Sequence, residues 1–198
     1  MNPRPLSLAL AATLVFPTLA LAASQNPTDV PAGVYGLDRK HASLTAKVSH
    51  MGVSLYAMRF DTFDAGFTYD PAHPYDTKVK VSVDATSLDV DAPYGRKFAD
   101  EFLDATNHPA ITFVSTQITP SADGRTATMT GDLTLHGVTR PETLTLTFIG
   151  VGKSLFFGTT VGFSAVAKIK RSDFGSTFLL NLVGDETEID IEAEFDRK

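Results

Sequence analysis

Apolar and polar residues alternate one for one through most of this chain, and that period constrains its fold more tightly than any other feature. Leu44, Ala46 and Val48 interleave with Thr45, Lys47 and Ser49, and Val79, Val81 and Val83 with Lys80, Ser82 and Asp84. Leu133 and Leu135 flank Thr134, Leu144, Leu146 and Phe148 enclose Thr145 and Thr147, and Ile189, Ile191, Ala193 and Phe195 alternate with three acids. A strand sends successive side chains to opposite faces, so period two gives each strand one dry face and one wet face. One buried side per strand is the mark of an antiparallel sheet. About eight such runs can be read, near 34–39, 43–50, 54–69, 77–86, 110–118, 125–136, 142–150 and 158–170, with a ninth at 186–196. That number can close into a barrel with room for one small ligand.

Turn residues punctuate the runs. Ser121-Ala122-Asp123-Gly124 reads as a hairpin, and Gly150-Val151-Gly152-Lys153 and Val183-Gly184-Asp185 read the same way. One segment has a different period. Between Asp91 and Asp104, Tyr94, Phe98 and Phe102 recur every fourth residue, with Leu103 beside them. Asp91 suits a cap and Pro93 a first turn, so the spacing predicts one short amphipathic helix of about three turns. Its apolar stripe is expected to lie on the wall or mouth of the barrel.

The start of the chain is an address. Arg4 precedes an apolar stretch from Leu6 to Leu21 that ends in Ala20-Leu21-Ala22-Ala23. A basic start, a short apolar stretch and small residues at the end form a secretory signal peptide, and the stretch is short for a membrane span. Residues 1–23 are read as a signal peptide and 24–198 as the barrel domain, exported to the periplasm in a Gram-negative host. The chain has no cysteine, which excludes disulfides, thiolate metal sites, cysteine nucleophiles and a lipidated anchor. With 17 basic and 23 acidic residues the net charge is −6, and loss of Arg4 makes it −7. An acidic protein is a poor partner for nucleic acid, whose binding rests on neutralised phosphates.

Catalytic and metal-binding patterns are missing. His41, His50, His73, His108 and His136 do not fall at metal-ligand spacings. Gly162-Phe163-Ser164-Ala165-Val166 lacks the second glycine of a nucleophile elbow. Gly152-Lys153-Ser154 lacks the first glycine of a phosphate loop, because Thr147 stands there. Glu188 to Glu194 alternate along one wet strand face. No catalytic residue, metal or cofactor is expected.

An ordered series of motifs resembles the YceI-like family of exported, lipocalin-like proteins. Tyr35-Gly36-Leu37-Asp38 with His41-Ala42-Ser43 is similar to its opening pattern, with Tyr35 in place of the usual Trp. Val48 to Gly52, Ala85 to Asp89, Glu101 to Asp104 and His108 to Phe113 follow in order. Gly131 to Pro141 resembles the family's most distinctive run, and Lys170 to Gly175 with Gly184-Asp185 completes the series. The helical segment departs from the pattern, because Arg96-Lys97-Phe98-Ala99 has no Asp or His where many members carry them.

The resemblance implies an elongated cavity for a polyisoprenoid or other long amphiphile. The dry faces supply Leu44, Val48, Phe60, Val81, Phe113, Leu133, Leu135, Leu146, Phe148, Phe163 and Ile169 as its walls, with Phe98 and Phe102 from the helix. Arg96, Lys97, His136 and Arg140 are the candidates to meet a polar head. The expected partner is an isoprenoid or long-chain lipid, with no stable membrane anchor and with room for a homodimer. Two other functions use the same barrel: an enzyme acting on an isoprenoid such as a quinone precursor, and a stress-related structural protein whose side chains fill the interior.

Overall fold

The computed structural model describes residues 23–90, 94–154 and 158–198. Most of the leader, and the expected helix residues Asp91 and Pro93, lie outside the described residues. The alternating runs become strands β1 (Gly33–His50), β2 (Ser54–Phe60), β3 (Phe63–Tyr69), β4 (Val79–Asp84) and β5 (Leu88–Asp89). After helix α1 (Gly95–Leu103) come β6 (Ala110–Pro120), β7 (Thr126–Leu135), β8 (Val138–Ser154), β9 (Gly158–Lys170) and β10 (Val183–Arg197). Every pairing is antiparallel, and β10 returns to β1. β2 and β3 lie end to end along β1, and β5 continues the line of β4 against β2. Counted so, eight strands close an up-and-down barrel.

Several boundaries differ from the sequence reading. The first two runs are one strand of 18 residues, with a register shift between Leu37 and Ala42 that absorbs the polar Asp38 to His41. Gly150-Val151-Gly152-Lys153 is not a turn, because these residues pair with β9 and the chain reverses only after Ser154. A bulge between Phe148 and Gly150 takes up the break in alternation that the glycines signal. Val183-Gly184-Asp185 opens β10 instead of preceding it. The β7–β8 turn is His136-Gly137, both at positive φ (53° and 76°), as a two-residue hairpin turn requires.

α1 is shorter than its pattern suggested, at nine residues. It ends at Asp104, which is left-handed at φ 50°, with its backbone N–H directed to the Ala99 and Asp100 carbonyls. The helix packs on the corner between β4 and β5. Ala99 is fully buried there, and a Cβ on Gly95 would stand 2.7 Å from the Leu88 carbonyl oxygen, so only glycine fits. At the other end of the barrel the segment before β1 forms a strap. Ser24 and Val151 exchange backbone hydrogen bonds at 2.8 Å, the Tyr35 hydroxyl donates to the Pro31 carbonyl at 2.7 Å, and Val30 is buried.

Candidate functional site

The barrel interior is two chambers. The first, about 340 Å³, lies at the helix end and the second, about 270 Å³, at the strap end, and no described residue lines both. Small residues also turn inward: Ala65, Ser115, Gly131, Ala165 and Ala193 share the parity of the wall residues on their strands. They leave room for larger rings, and a Cβ on Gly131 would collide with the Phe113 ring. Toward the strap end Phe67, Phe148, Phe163 and Phe195 interlock edge to face, with centroids 5.1–6.1 Å apart. These rings, an aromatic septum, line the strap-end chamber and not the helix-end one.

Ten of the expected wall residues line the first chamber, eight chosen by strand parity (Leu44, Val48, Phe60, Val81, Phe113, Leu133, Leu135 and Ile169) and two, Phe98 and Phe102, by the helical period. Leu146, Phe148 and Phe163 line the second instead. Their strands point them inward, but at the strap end. α1 roofs the first chamber through Phe98, Phe102 and Leu103. The rim beside it is apolar. Met51, Val53 and Leu55 from the β1–β2 hairpin and Leu179, Leu180 and Leu182 ahead of β10 are exposed, and the Met51 N–H donates to the Leu182 carbonyl at 2.6 Å.

The four head-group candidates lie elsewhere, and none lines either chamber. Arg96 Nε donates to Asp100 Oδ2 and its Nη2 to Thr106 Oγ1, both at 3.1 Å, and Lys97 Nζ faces Glu101 at 3.7 Å. Arg140 Nε donates to the Asp173 carbonyl, and His136, whose backbone makes the β7–β8 turn, holds its ring 6.3 Å from that of His108. The ionisable groups that do line the first chamber are His50, Glu142 and Arg171.

Arg171 was not singled out by the sequence, and it is buried at 6% exposure. Its Nε donates to the Gly184 carbonyl at 2.9 Å, Nη1 to Ser176 at 2.9 Å and Nη2 to Val183 at 2.7 Å. Its guanidinium also sits 5.4 Å from the centre of the Phe102 ring. Burial pulls its pKa down, opposed by the Asp185 carboxylate, and arginine stays charged regardless. Asp185 is occupied in turn by the Ser172 N–H and hydroxyl at 2.9 and 2.8 Å. Glu142 stands where the β8–β9 ladder stops, one step beyond the Leu144–Ala167 pair. Burial raises its pKa, and the nearby Asp173 adds to the rise.

Among the described residues one group could present three metal ligands, Asp38, His41 and Glu194, whose ligand atoms lie within 4.8 Å of one another. It is on the outer surface, away from both chambers, and His41 Nδ1 is already 2.8 Å from Asp38 Oδ2. No helix of the described residues is long and apolar enough to cross a membrane.

The model of the YceI-like domain matches residues 35–195. The chain belongs to the YceI family. A UPF0312 protein of Vibrio parahaemolyticus is 36% identical over 174 residues, covering 86% of this chain and 89% of that one. A UPF0312 protein of Pseudomonas fluorescens is 36% identical over 191 residues, covering 92% and 94%. Burkholderia cenocepacia BcnA has a similar crystal structure, with a TM-score of 0.70 and 29% identity, over 80% of this chain and 98% of that one. A polyisoprenoid-binding domain from Saccharophagus degradans shares the fold at a TM-score of 0.63 and 15% identity, over 83% and 98%. The barrel holds a hydrophobic cavity typical of YceI and lipocalin-like proteins, able to host small apolar guests. Periplasmic localisation is typical of the family.

Proposed function

We propose that this YceI protein carries or sequesters a single-chain amphiphile, an isoprenoid or other long-chain lipid, with its apolar tail in the helix-end chamber. One observation carries the reading: an open space of about 340 Å³ walled almost wholly by Leu, Val, Ile, Met and Phe side chains. A barrel filled by its own side chains would have no such space. Each CH₂ taken from water contributes roughly 0.8 kcal/mol, so the tail supplies most of the affinity. An apolar cavity of about 150 Å³ holds benzene, and on that scale this chamber takes roughly a dozen carbons. A longer tail leaves its remainder at the apolar rim.

The head group sits on the helix side of the chamber, within reach of Arg171. That charge is held by carbonyls, with no carboxylate among the described residues in hydrogen-bond contact, and favours a phosphate or carboxylate over a cationic head. The test is a titration of isoprenoid alcohols and their phosphates of increasing length at two salt concentrations. Affinity should climb with length and level off near a dozen carbons. It should weaken only modestly at high salt. Short phosphates that bind as well as long ones, and are released by salt, would overturn the reading.

A further inference from the structure

We propose that the strap-end chamber is a second, independent binding site, and that it takes a neutral flat ring compound of one or two rings. The inference does not depend on what the helix-end chamber holds. The two spaces share no described lining residue, and the interlocked rings of Phe67, Phe148, Phe163 and Phe195 line the strap-end one alone.

Wall chemistry sets the ligand class. The helix-end chamber is lined mainly by aliphatic side chains, which adapt to a flexible chain. The strap-end chamber presents Phe67, Tyr69, Tyr75 and Phe148 together with Pro71 and Pro74. Rings and prolines offer rigid planar faces, and such faces favour another ring stacked or edge-on at about 4.5–7 Å between centroids. The volume of about 270 Å³ fits two fused rings, given that about 150 Å³ suffices for benzene.

Charge is excluded by the same wall. Arg125 is the one charged side chain among the described lining residues, and it is engaged. Its Nη1 donates to Gln25 Oε1 and its Nη2 to the Phe148 carbonyl, both at 3.2 Å. Tyr69 and Tyr75 bring phenolic hydroxyls to the wall, which suits a ring bearing one hydroxyl. The strap, through Pro27 and Thr28, and the segment joining β3 to β4, through Pro71, Pro74 and Tyr75, both line the chamber, and Tyr75 is 52% exposed.

The experiment titrates the exported protein with 2-naphthol, followed by fluorescence, with and without saturating dodecanol. Both should bind together, and dodecanol should leave the naphthol affinity unchanged. Ile118→Trp, which fills the strap-end chamber only, should weaken naphthol at least about tenfold and spare dodecanol. Leu133→Trp, which fills the helix-end chamber, should do the reverse. Displacement of naphthol by dodecanol at one shared site would overturn the proposal. If either variant fails to fold, crystals of the wild-type protein soaked with 2-bromonaphthalene decide the matter. A bromine peak beside Phe67 and Phe148 supports the site, and a peak only among the aliphatic walls, or none, overturns it. Naphthol binding without dodecanol binding would remove the chain-carrier reading alone.

Discussion

The two ends of this barrel are made from the same strands by the same alternation, yet they differ in what they can hold. The helix end is aliphatic, roofed by α1 and edged with an ionisable wall of Arg171, Glu142 and His50. The strap end is aromatic and proline-rich, closed by the segment around Pro27 to Val30 and without a free charge among its described residues. Alternation therefore decides only which side chains face inward. The level at which a residue sits along the axis decides which chemistry it joins. Small inward residues, Ala65, Ser115, Gly131, Ala165 and Ala193, leave room for the larger rings, as Gly131 does for Phe113.

That contrast can be broken by substitution. The largest effect is expected at the septum. Phe148 is 4% exposed, and Phe148→Ala should cost ~3–5 kcal/mol in urea denaturation while merging the two chambers, so that longer alcohols bind. Unchanged chain-length selectivity would show that the septum does not limit the tail. Arg171→Met comes next. It leaves three carbonyls of the 176–184 segment without their donor, at roughly 1 kcal/mol or more each. Hydrogen exchange should quicken at residues 171–184 and stay slow at the strap end. Equal loosening of both ends would contradict their independence.

Phe98→Ala should be milder, at about 1–2 kcal/mol, because the ring is half-buried in the roof. Its effect should appear more in the dissociation rate of a bound chain than in the melting curve. The smallest effect is at Glu142, whose pKa is raised by burial and by Asp173. A carboxyl with a raised folded-state pKa leaves stability untouched below its unfolded value and lowers it as pH rises through the folded value. Glu142→Gln should therefore stabilise the protein at neutral pH, by under about 1 kcal/mol given its partial exposure, and make no difference well below pH 4. A stability gap that persists at low pH would mean that packing, not charge, explains it.

Much of the wall was legible because burial follows parity. Leu133 and Leu135, or Leu146 and Phe148, face inward for the same reason that the threonines between them face water. The division into chambers was not legible. Where Gly131, Ala165 and Ala193 stand relative to one another depends on the register from β7 to β10, which no local pattern encodes. The surroundings of the cations were hidden for a related reason. Arg96 and Lys97 look unengaged in the sequence, but one helical turn places Asp100 and Glu101 beside them. The setting of Arg171 was hidden too, because its partners are backbone carbonyls up to 13 residues onward, and carbonyls leave no mark in a sequence.

The pairing of β1 with β10 has a consequence for how the protein is made. The barrel has no seam until its final strand, Val183–Arg197, lies against its first. A chain still being made lacks that strand, so both flanks of its sheet carry unpaired backbone groups. Such contacts between distant parts of a sequence form slowly. Closure thus waits until the last strand is available. A chain cut short before Val183 would keep two naked strand edges, the form in which β proteins most readily recruit one another.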